Sequence, residues 1–267
     1  MISGLIIYSR EDAGKNQWFI DYCLKELNNN EFSLAFVLEE NAIAYLKDRN
    51  ITYAIYRGRN SNISLDLEKH NVRVFNNSFT NKIANDKYLT YLFANEHGFK
   101  TIESNKIPFA KAHFPQIMKS TSGHGGSEVF LIRNKNEQEK IVKDYPNKTF
   151  IYQDFVENDG DLRVYLIGQK VIAGVLRQNK QEFRHNYSLG GKVCLVEADE
   201  QTRKTAISLA KLLKSDFIGI DFLKTKDGAF LLSEIEDPVG SRMLYSLSNI
   251  DILGIFINYL KQTMRRI

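Results

Sequence analysis

The sequence predicts a mixed α/β fold, with an N-terminal βαβα unit ahead of an α+β region of hairpins and helices. Three observations lead there. Over the first 75 residues, short apolar runs alternate with amphipathic stretches, the pattern of an open parallel sheet with helices on its faces. Farther on, β-type runs are separated by glycine turns at Gly123 to Gly126, Gly168 and Gly228. Helical periodicity returns in residues 202–214 and again near the C-terminus.

In order, residues 5–8 read as a strand and 16–27 as a helix, with Trp18, Phe19, Tyr22 and Cys23 spaced to bury one face. Residues 32–38 are a second strand, 42–47 a helix, 53–56 a third strand, 63–68 a short helix and 72–75 a fourth strand. There is no G-x-G-x-x-G, so a dinucleotide site is not supported. Residues 76–81, rich in asparagine, read as a connector, and 82–96 as a helix ended by Gly98. Strands follow near 116–119, 129–132 and 149–152, with a charged helix near 137–143 between the last two. Residues 163–176 form a hairpin about Gly168-Gln169. The helix at 202–214 carries Ala206, Leu209, Ala210 and Leu213 on one face, and the last helix buries Ile252, Ile255, Phe256, Tyr259 and Leu260.

Composition removes several function classes. A chain of 267 residues has room for two domains or one large one, and 43% hydrophobic with 25% charged residues is ordinary for a soluble globular protein. The net charge of +4 is too small to imply nucleic acid. Cys23 and Cys194 lie far apart without ligand-like spacing, so a disulfide framework is not expected and a cytoplasmic location is. Five histidines form no i, i+4 pair and no zinc pattern. No apolar run approaches the roughly 18 residues of a membrane span.

The most informative residues are three carboxylates. Asp227-Gly228 between apolar runs signals a hairpin. With Lys226 facing Ala229, Asp221 falls opposite Glu234, and Glu236, two residues on, shares their face. Like charges opposed across strands are destabilising, and a divalent cation is the simplest offset; hard oxygen ligands suit Mg²⁺. Upstream, Lys119-Ser-Thr-Ser-Gly-His-Gly-Gly-Ser-Glu-Val129 is a strand–glycine loop–strand hairpin whose small residues, Gly125 and Gly126 among them, let backbone N–H groups approach a polyphosphate. No Gly-Lys-Ser/Thr follows, so it is not a Walker A loop; such a hairpin folds over a nucleotide as a lid. Lys119 on the first strand and Lys87 at a helix start are placed to reach phosphate oxygens, while His124 reads as a solvated loop residue.

Taken in order from 85 to 240, these pieces resemble the ATP-grasp superfamily, and within it the glutamate-ligase-like (RimK-like) branch. Asn85-Asp-Lys87 resembles its Asp-Lys helix start, Met118-Lys119 with the glycine loop its lid strand and phosphate loop, and Tyr152-Gln-Asp-Phe-Val156 its adenine hinge. Gly160-Asp-Leu-Arg163 resembles its Asp-hydrophobic-Arg element and Phe183-Arg-His-Asn186 its Phe-Arg-x-Asn segment. Glu234-Ile-Glu-Asp-Pro-Val-Gly240 resembles its metal motif, with Glu236 where the family usually has Asn and with the Pro-Gly pair split.

The resemblance implies a pre-ATP-grasp α/β domain over residues 1–80 and an ATP-grasp module over 81–267. Within the module, a central lid subdomain near 106–152 and a metal-binding subdomain near 153–267 would clasp the nucleotide. It implies an ATP- and Mg²⁺-dependent carboxylate–amine ligase that forms an acylphosphate and releases ADP and phosphate, with two metal ions and Mn²⁺ as an alternative. On that reading Asp221, Glu234 and Glu236 hold metal, and Lys87, Lys119, Gly125 and Gly126 hold phosphate. Asp154, Phe155 and Val156 edge the adenine, and Asp161 reaches the ribose or positions Arg163. Arg163 and Arg184 face the transferring phosphoryl group, and Asn186 lies near phosphate or metal. Arg177 and Arg242 hold a substrate carboxylate, with Arg57 a weaker candidate. The partners are a small carboxylic acid, such as an amino acid, and an amine, peptide or protein acceptor, without nucleic acid or membrane. Ligases of this type are often dimers or tetramers, though the sequence carries no interface signal. Two other functions fit the same residues: a kinase phosphorylating a small molecule, and a catalytically degenerate ATP-binding module.

Overall fold

The computed structural model describes residues 1–108, 114–179 and 192–267. The N-terminal unit runs β1 (Ile2–Tyr8), α1 (Arg10–Lys15), α2 (Gln17–Leu27), β2 (Phe32–Leu38), α3 (Ala42–Tyr45), β3 (Tyr53–Tyr56), α4 (Ser61–Lys69) and β4 (Arg73–Phe75). Its four strands are parallel in the order β2-β1-β3-β4. As β1 and β3 are covered on both faces, they read as unbroken apolar runs, and Leu5, Ile6, Ile7, Tyr53, Ala54 and Ile55 are all fully buried. Helix α2 buries Phe19, Ile20, Cys23 and Leu27, whereas Trp18, expected on that face, is 40% exposed. The inward stripe is rotated about one position from the expected one, because the face is set by docking on the sheet.

The segment expected to be a connector followed by one helix is instead two helices, α5 (Ser78–Ala84) and α6 (Lys87–Glu96). Asn77 caps α5 by accepting from Thr80 N, and Asp86 caps α6 by accepting from Tyr88 N and Leu89 N. The boundary expected at residue 80 thus falls inside α5. Next come β5 (Gln116–Ser120), β6 (Val129–Ile132), α7 (Lys135–Asp144) and β7 (Phe150–Asp154), whose strands form an antiparallel sheet in the order β6-β5-β7.

The largest sheet is antiparallel, β10-β9-β8-β11-β12. It comprises β8 (Asn158–Ile167), β9 (Lys170–Gln178), β10 (Lys192–Val196), then, after α8 (Glu200–Leu213), β11 (Phe217–Thr225) and β12 (Phe230–Glu236). One face packs Leu162, Val164, Ile218, Ile220 and Phe222 on Ala206, Leu209, Ala210 and Leu213 of α8. The opposite face carries the polar residues discussed below. Helices α9 (Arg242–Leu247) and α10 (Ile252–Met264) close the chain. Helix α10 fills the space between the two large sheets: Phe256 meets Phe75 at 6.3 Å and Phe217 at 5.2 Å between ring centroids. Its buried face is Ile252, Leu253, Phe256, Ile257, Leu260 and Met264, so Ile255, expected inside, is 37% exposed.

Candidate active site

The carboxylates sit where the hairpin argument put them, by a different route. The loop has three residues, Lys226 to Gly228: Thr225 N donates to Ala229 O at 2.9 Å and Gly228 N to Thr225 O at 3.0 Å, with Gly228 at φ +85°. A register shift between Asp221 and Phe222 inserts Ser233 as an extra residue, which restores Asp221 opposite Glu234. Glu236 lies opposite Gly219, and Arg163 of β8 lies opposite Asp221 on its other side. Arg163, Asp221 and Glu234 therefore form one row across three strands.

Cations interleave the acids. Arg163 grips Asp221 with two hydrogen bonds, Nε to Oδ1 at 2.7 Å and Nη2 to Oδ2 at 2.6 Å, and Nη2 also reaches Glu236 Oε1 at 2.8 Å. Gly219 makes that bridge sterically available: a Cβ there would lie 3.3 Å from Arg163 Cδ and 2.7 Å from Val239 Cγ2. Arg177, opposite Asp161 on β9, ion-pairs with Asp161 and donates to Asp221 Oδ2 at 2.7 Å. Glu234 is approached by Lys87 Nζ at 3.6 Å and Lys119 Nζ at 3.9 Å. The sequence argument held that a metal was the simplest offset for the crowded acids. The protein supplies four basic side chains to the same task, and among the described residues no three carboxylate or histidine side chains converge on a metal position.

Burial opposes charge on Asp221, but Arg163 and Arg177 overcome it and hold the carboxyl at about 2. Burial pushes Asp161 up to about 6 despite Arg177, with Asp221 adding to the rise. Lys119 is lowered by burial, partly offset by Glu234. These opposed shifts within a few ångströms of each other are the mark of a site whose charges are arranged.

Two cavities share this wall. The first, about 100 Å³, is bordered by Lys87, Lys119 and the glycine loop on one side and by Gln153, Asp154, Phe155 and Val156 on the other. Asp161, Arg177, Asp221, Glu234 and Glu236 form its floor, and Ile102, Ile117 and Leu223 give it apolar patches. Gly126 borders it too, and Lys87 Nζ donates to Gly123 O, drawing the loop over its mouth. Gly125 and Gly126 have φ of +66° and +77°, conformations that favour glycine. The second cavity, about 460 Å³, lies toward the N-terminal sheet, and Gly125, Arg57, Arg163 and Arg242 line it. His124, Arg177 and Glu236 border both. Arg184 and Asn186 lie outside the described residues.

Sequence reasoning missed how the end of β12 is anchored. Asp237, buried just after Glu236, accepts from Asn76 Nδ2 at 2.8 Å and Asn81 Nδ2 at 2.9 Å; burial raises its pKa and the two amides lower it. Asn76 also donates to Phe217 O at 2.8 Å. The asparagine-rich stretch read as a connector is thus a latch between the N-terminal unit and β12. Polar residues buried by both neighbours were the available signal.

A cationic cradle with a glycine hairpin, facing a carboxylate sheet across a cleft, defines an ATP-grasp protein. The fold agrees: D-alanine–D-alanine ligase from Bacillus anthracis, solved with ATP, superposes with a TM-score of 0.78 at 16% identity, covering 100% of this chain and 98% of that one. The chain belongs to the RimK-like ATP-grasp family, carboxylate–amine ligases whose domain model matches residues 90–260. An uncharacterized protein of Mycoplasma pneumoniae is 30% identical over 250 residues, 90% of this chain and 85% of its own. Human N-acetylaspartylglutamate synthase A is 35% identical over 153 residues, 55% of this chain and 38% of its own length. No helix among the described residues is long and apolar enough to cross a membrane.

Proposed function

We propose that the protein is an ATP- and Mg²⁺-dependent ligase that joins a carboxylic acid to an amine through an acylphosphate, releasing ADP and phosphate. The observation that carries this reading is the meeting of two lysines, a glycine hairpin and three carboxylates around one cavity, with a second, cationic cavity sharing its wall. The kinship with a synthase and with ligases supports the same chemistry.

The residues fit the groups the family implies. Asp221, Glu234 and Glu236 offer hard oxygens on one face and would hold Mg²⁺ once their basic partners turn away. Magnesium, when bound, would supply charge neutralisation at the phosphates. Lys87 and Lys119 neutralise phosphate, and the glycine-loop N–H groups cradle it. Asp154, Phe155 and Val156 edge the base, with Ile117 and Leu223 as its apolar bed. Arg163 lines the second cavity and borders Asp221. It is placed to stabilise charge developing on an acyl group and to orient it toward the phosphate. The lid drawn down by Lys87 excludes water, which would otherwise hydrolyse the activated acid. The test is an ADP-release screen over pairs of acids and amines with Mg²⁺, followed by mass spectrometry. An amide product with stoichiometric ADP and phosphate supports the reading. ADP with a phosphorylated product and no free phosphate refutes it in favour of a kinase, and ATP binding with no turnover by any pair refutes it in favour of a binding module.

A further inference from the structure

Joining an acid to an amine needs a proton acceptor. Near neutral pH an aliphatic amine is chiefly ammonium, and nitrogen attacks an acyl carbon only when its lone pair is free. Among the described residues, three side chains border both cavities, where nucleotide and acceptor would meet: His124, Arg177 and Glu236. Arg177 is ion-paired with Asp161 and Asp221, and a guanidinium stays protonated. Glu236 accepts from Arg163 and belongs to the carboxylate set that would hold magnesium. His124 is differently placed. Its imidazole makes no hydrogen bond or ion pair among the described residues, yet the backbone that carries it is fixed on both sides. Lys87 Nζ donates to Gly123 O, and Ser127 Oγ donates to His124 O at 3.2 Å. Glu11 of α1 and Glu128 of the same hairpin lie within electrostatic reach of His124. Imidazole is the side chain suited to exchange a proton near neutral pH, and those two carboxylates would offset the charge it gains.

We infer that His124 is the proton acceptor for the attacking amine. The inference rests on the proposed ligase reading and deepens it by assigning the residue that readies the second substrate. The ammonium group of the acceptor gives one proton to the imidazole, leaving a neutral amine and an imidazolium. The nitrogen lone pair then forms the C–N bond at the acyl carbon, and the C–O bond to phosphate breaks with its electron pair leaving on phosphate. The second proton lost by nitrogen goes to the departing phosphate, giving hydrogen phosphate. His124 is exposed at the rim shared by the two cavities, so the imidazolium can return its proton to solvent.

The test uses the full chain with ATP, Mg²⁺ and the acid–amine pair that gives the greatest ADP release, with hydroxylamine as a second acceptor. Hydroxylamine is largely unprotonated near neutral pH and attacks acylphosphates unaided, so hydroxamate reports the activation step alone. His124→Gln should lower amide formation about a hundredfold while leaving hydroxamate formation unchanged. Its calorimetric affinity for a non-hydrolysable ATP analogue should also be unchanged, with thermal melting confirming that the variant is folded. Added imidazole should raise amide formation by His124→Ala about tenfold, a rescue that a purely structural role would not show. The inference is overturned if amide and hydroxamate fall together, if His124→Gln forms amide as fast as wild type, or if imidazole leaves His124→Ala unimproved. If wild type forms amide and His124→Gln matches it, the ligase reading stands and the assignment to His124 fails. If wild type yields neither amide nor hydroxamate with any acid, the ligase reading fails and the assignment falls with it.

Discussion

Replacing Arg163 by methionine tests the charge arrangement at its centre. Among the described residues Asp221 Oδ1 accepts from Arg163 alone, and Oδ2 is shared by Arg163 and Arg177. Glu236 has Arg163 as its one hydrogen-bond partner among the described residues. The substitution removes two of three donors from a buried carboxylate and the counter-charge from a second. Breaking a buried ion pair by deleting one partner costs about 3–5 kcal/mol, and the surviving Arg177 puts the expectation near the lower end, about 3 kcal/mol. For a chain of this length that corresponds to a fall in Tm of roughly 6–10 °C. The variant should also respond more strongly to magnesium, since guanidinium and metal compete for the same oxygens. A tenfold gain in metal affinity would add about 1.4 kcal/mol of stabilisation at saturating Mg²⁺. The assay is urea unfolding of wild type and variant with and without about 10 mM MgCl₂. A loss below about 1 kcal/mol, or an equal magnesium response in both proteins, would refute the reasoning.

Further expectations follow from the same contacts. Lys119→Ala should weaken ATP binding about tenfold or more by calorimetry, since it deletes a buried cation at the phosphate end of the cavity; unchanged affinity would remove Lys119 from the site. Asp237→Ala removes one of two acceptors from each of the buried amides of Asn76 and Asn81, which keep Phe217 O and Gly58 O, and should cost about 1–3 kcal/mol by urea unfolding; a neutral result would show that the latch carries no load. Burial pushes Asp216 from the ordinary 3.8 up to about 6, against the lowering effects of Arg73 and Tyr259. With a raised folded-state value, its contribution to stability is complete below about pH 3.8 and is lost as pH rises through about 6. The stability of wild type relative to Asp216→Asn should therefore fall by about 1 kcal/mol between roughly pH 5 and pH 7.5; a flat or rising difference contradicts the sign.

What the sequence disclosed depended on how local the cause was. The strands at Phe32–Leu38, Tyr53–Tyr56 and Val129–Ile132 have the bounds that hydrophobic patterning predicts, because burial of a short apolar run decides them. The hairpin of β11 and β12 was legible from Asp227-Gly228, yet its three-residue loop and the extra residue at Ser233 were not. The two departures cancel, so Asp221 still meets Glu234. Helix faces were read less well. Trp18 and Ile255 are apolar at helical spacing but turn outward, because the sheets that α2 and α10 dock against choose which stripe is buried. The break at Asn85-Asp86 was visible as a capping residue but was overridden by continuous helical propensity. The bridge from Arg163 to Asp221 was beyond local reading, because 58 residues separate the partners and only the register of β8 on β11 aligns them.

That bridge changes the physical argument about the carboxylates. Three acids on one sheet face suggested a site held together by metal, but these three do not form a bare acidic patch. Asp221 and Glu236 share Arg163, and Glu234 lies near two lysines. On the proposed function, the lysines nearest the acids are also those that face phosphate, so a nucleotide arriving with its cation exchanges partners rather than filling a vacant charge. Lys87 and Lys119, which now approach Glu234, would turn to phosphate, and Glu234 would then be free to help hold the metal. Each half of the exchange leaves unpaired charge at the site unless the other accompanies it, so nucleotide and metal should bind with positive coupling. Glu236 strengthens that coupling. Asparagine at the same position would carry no charge for Arg163 to neutralise, and Arg163 would be committed to Asp221 alone.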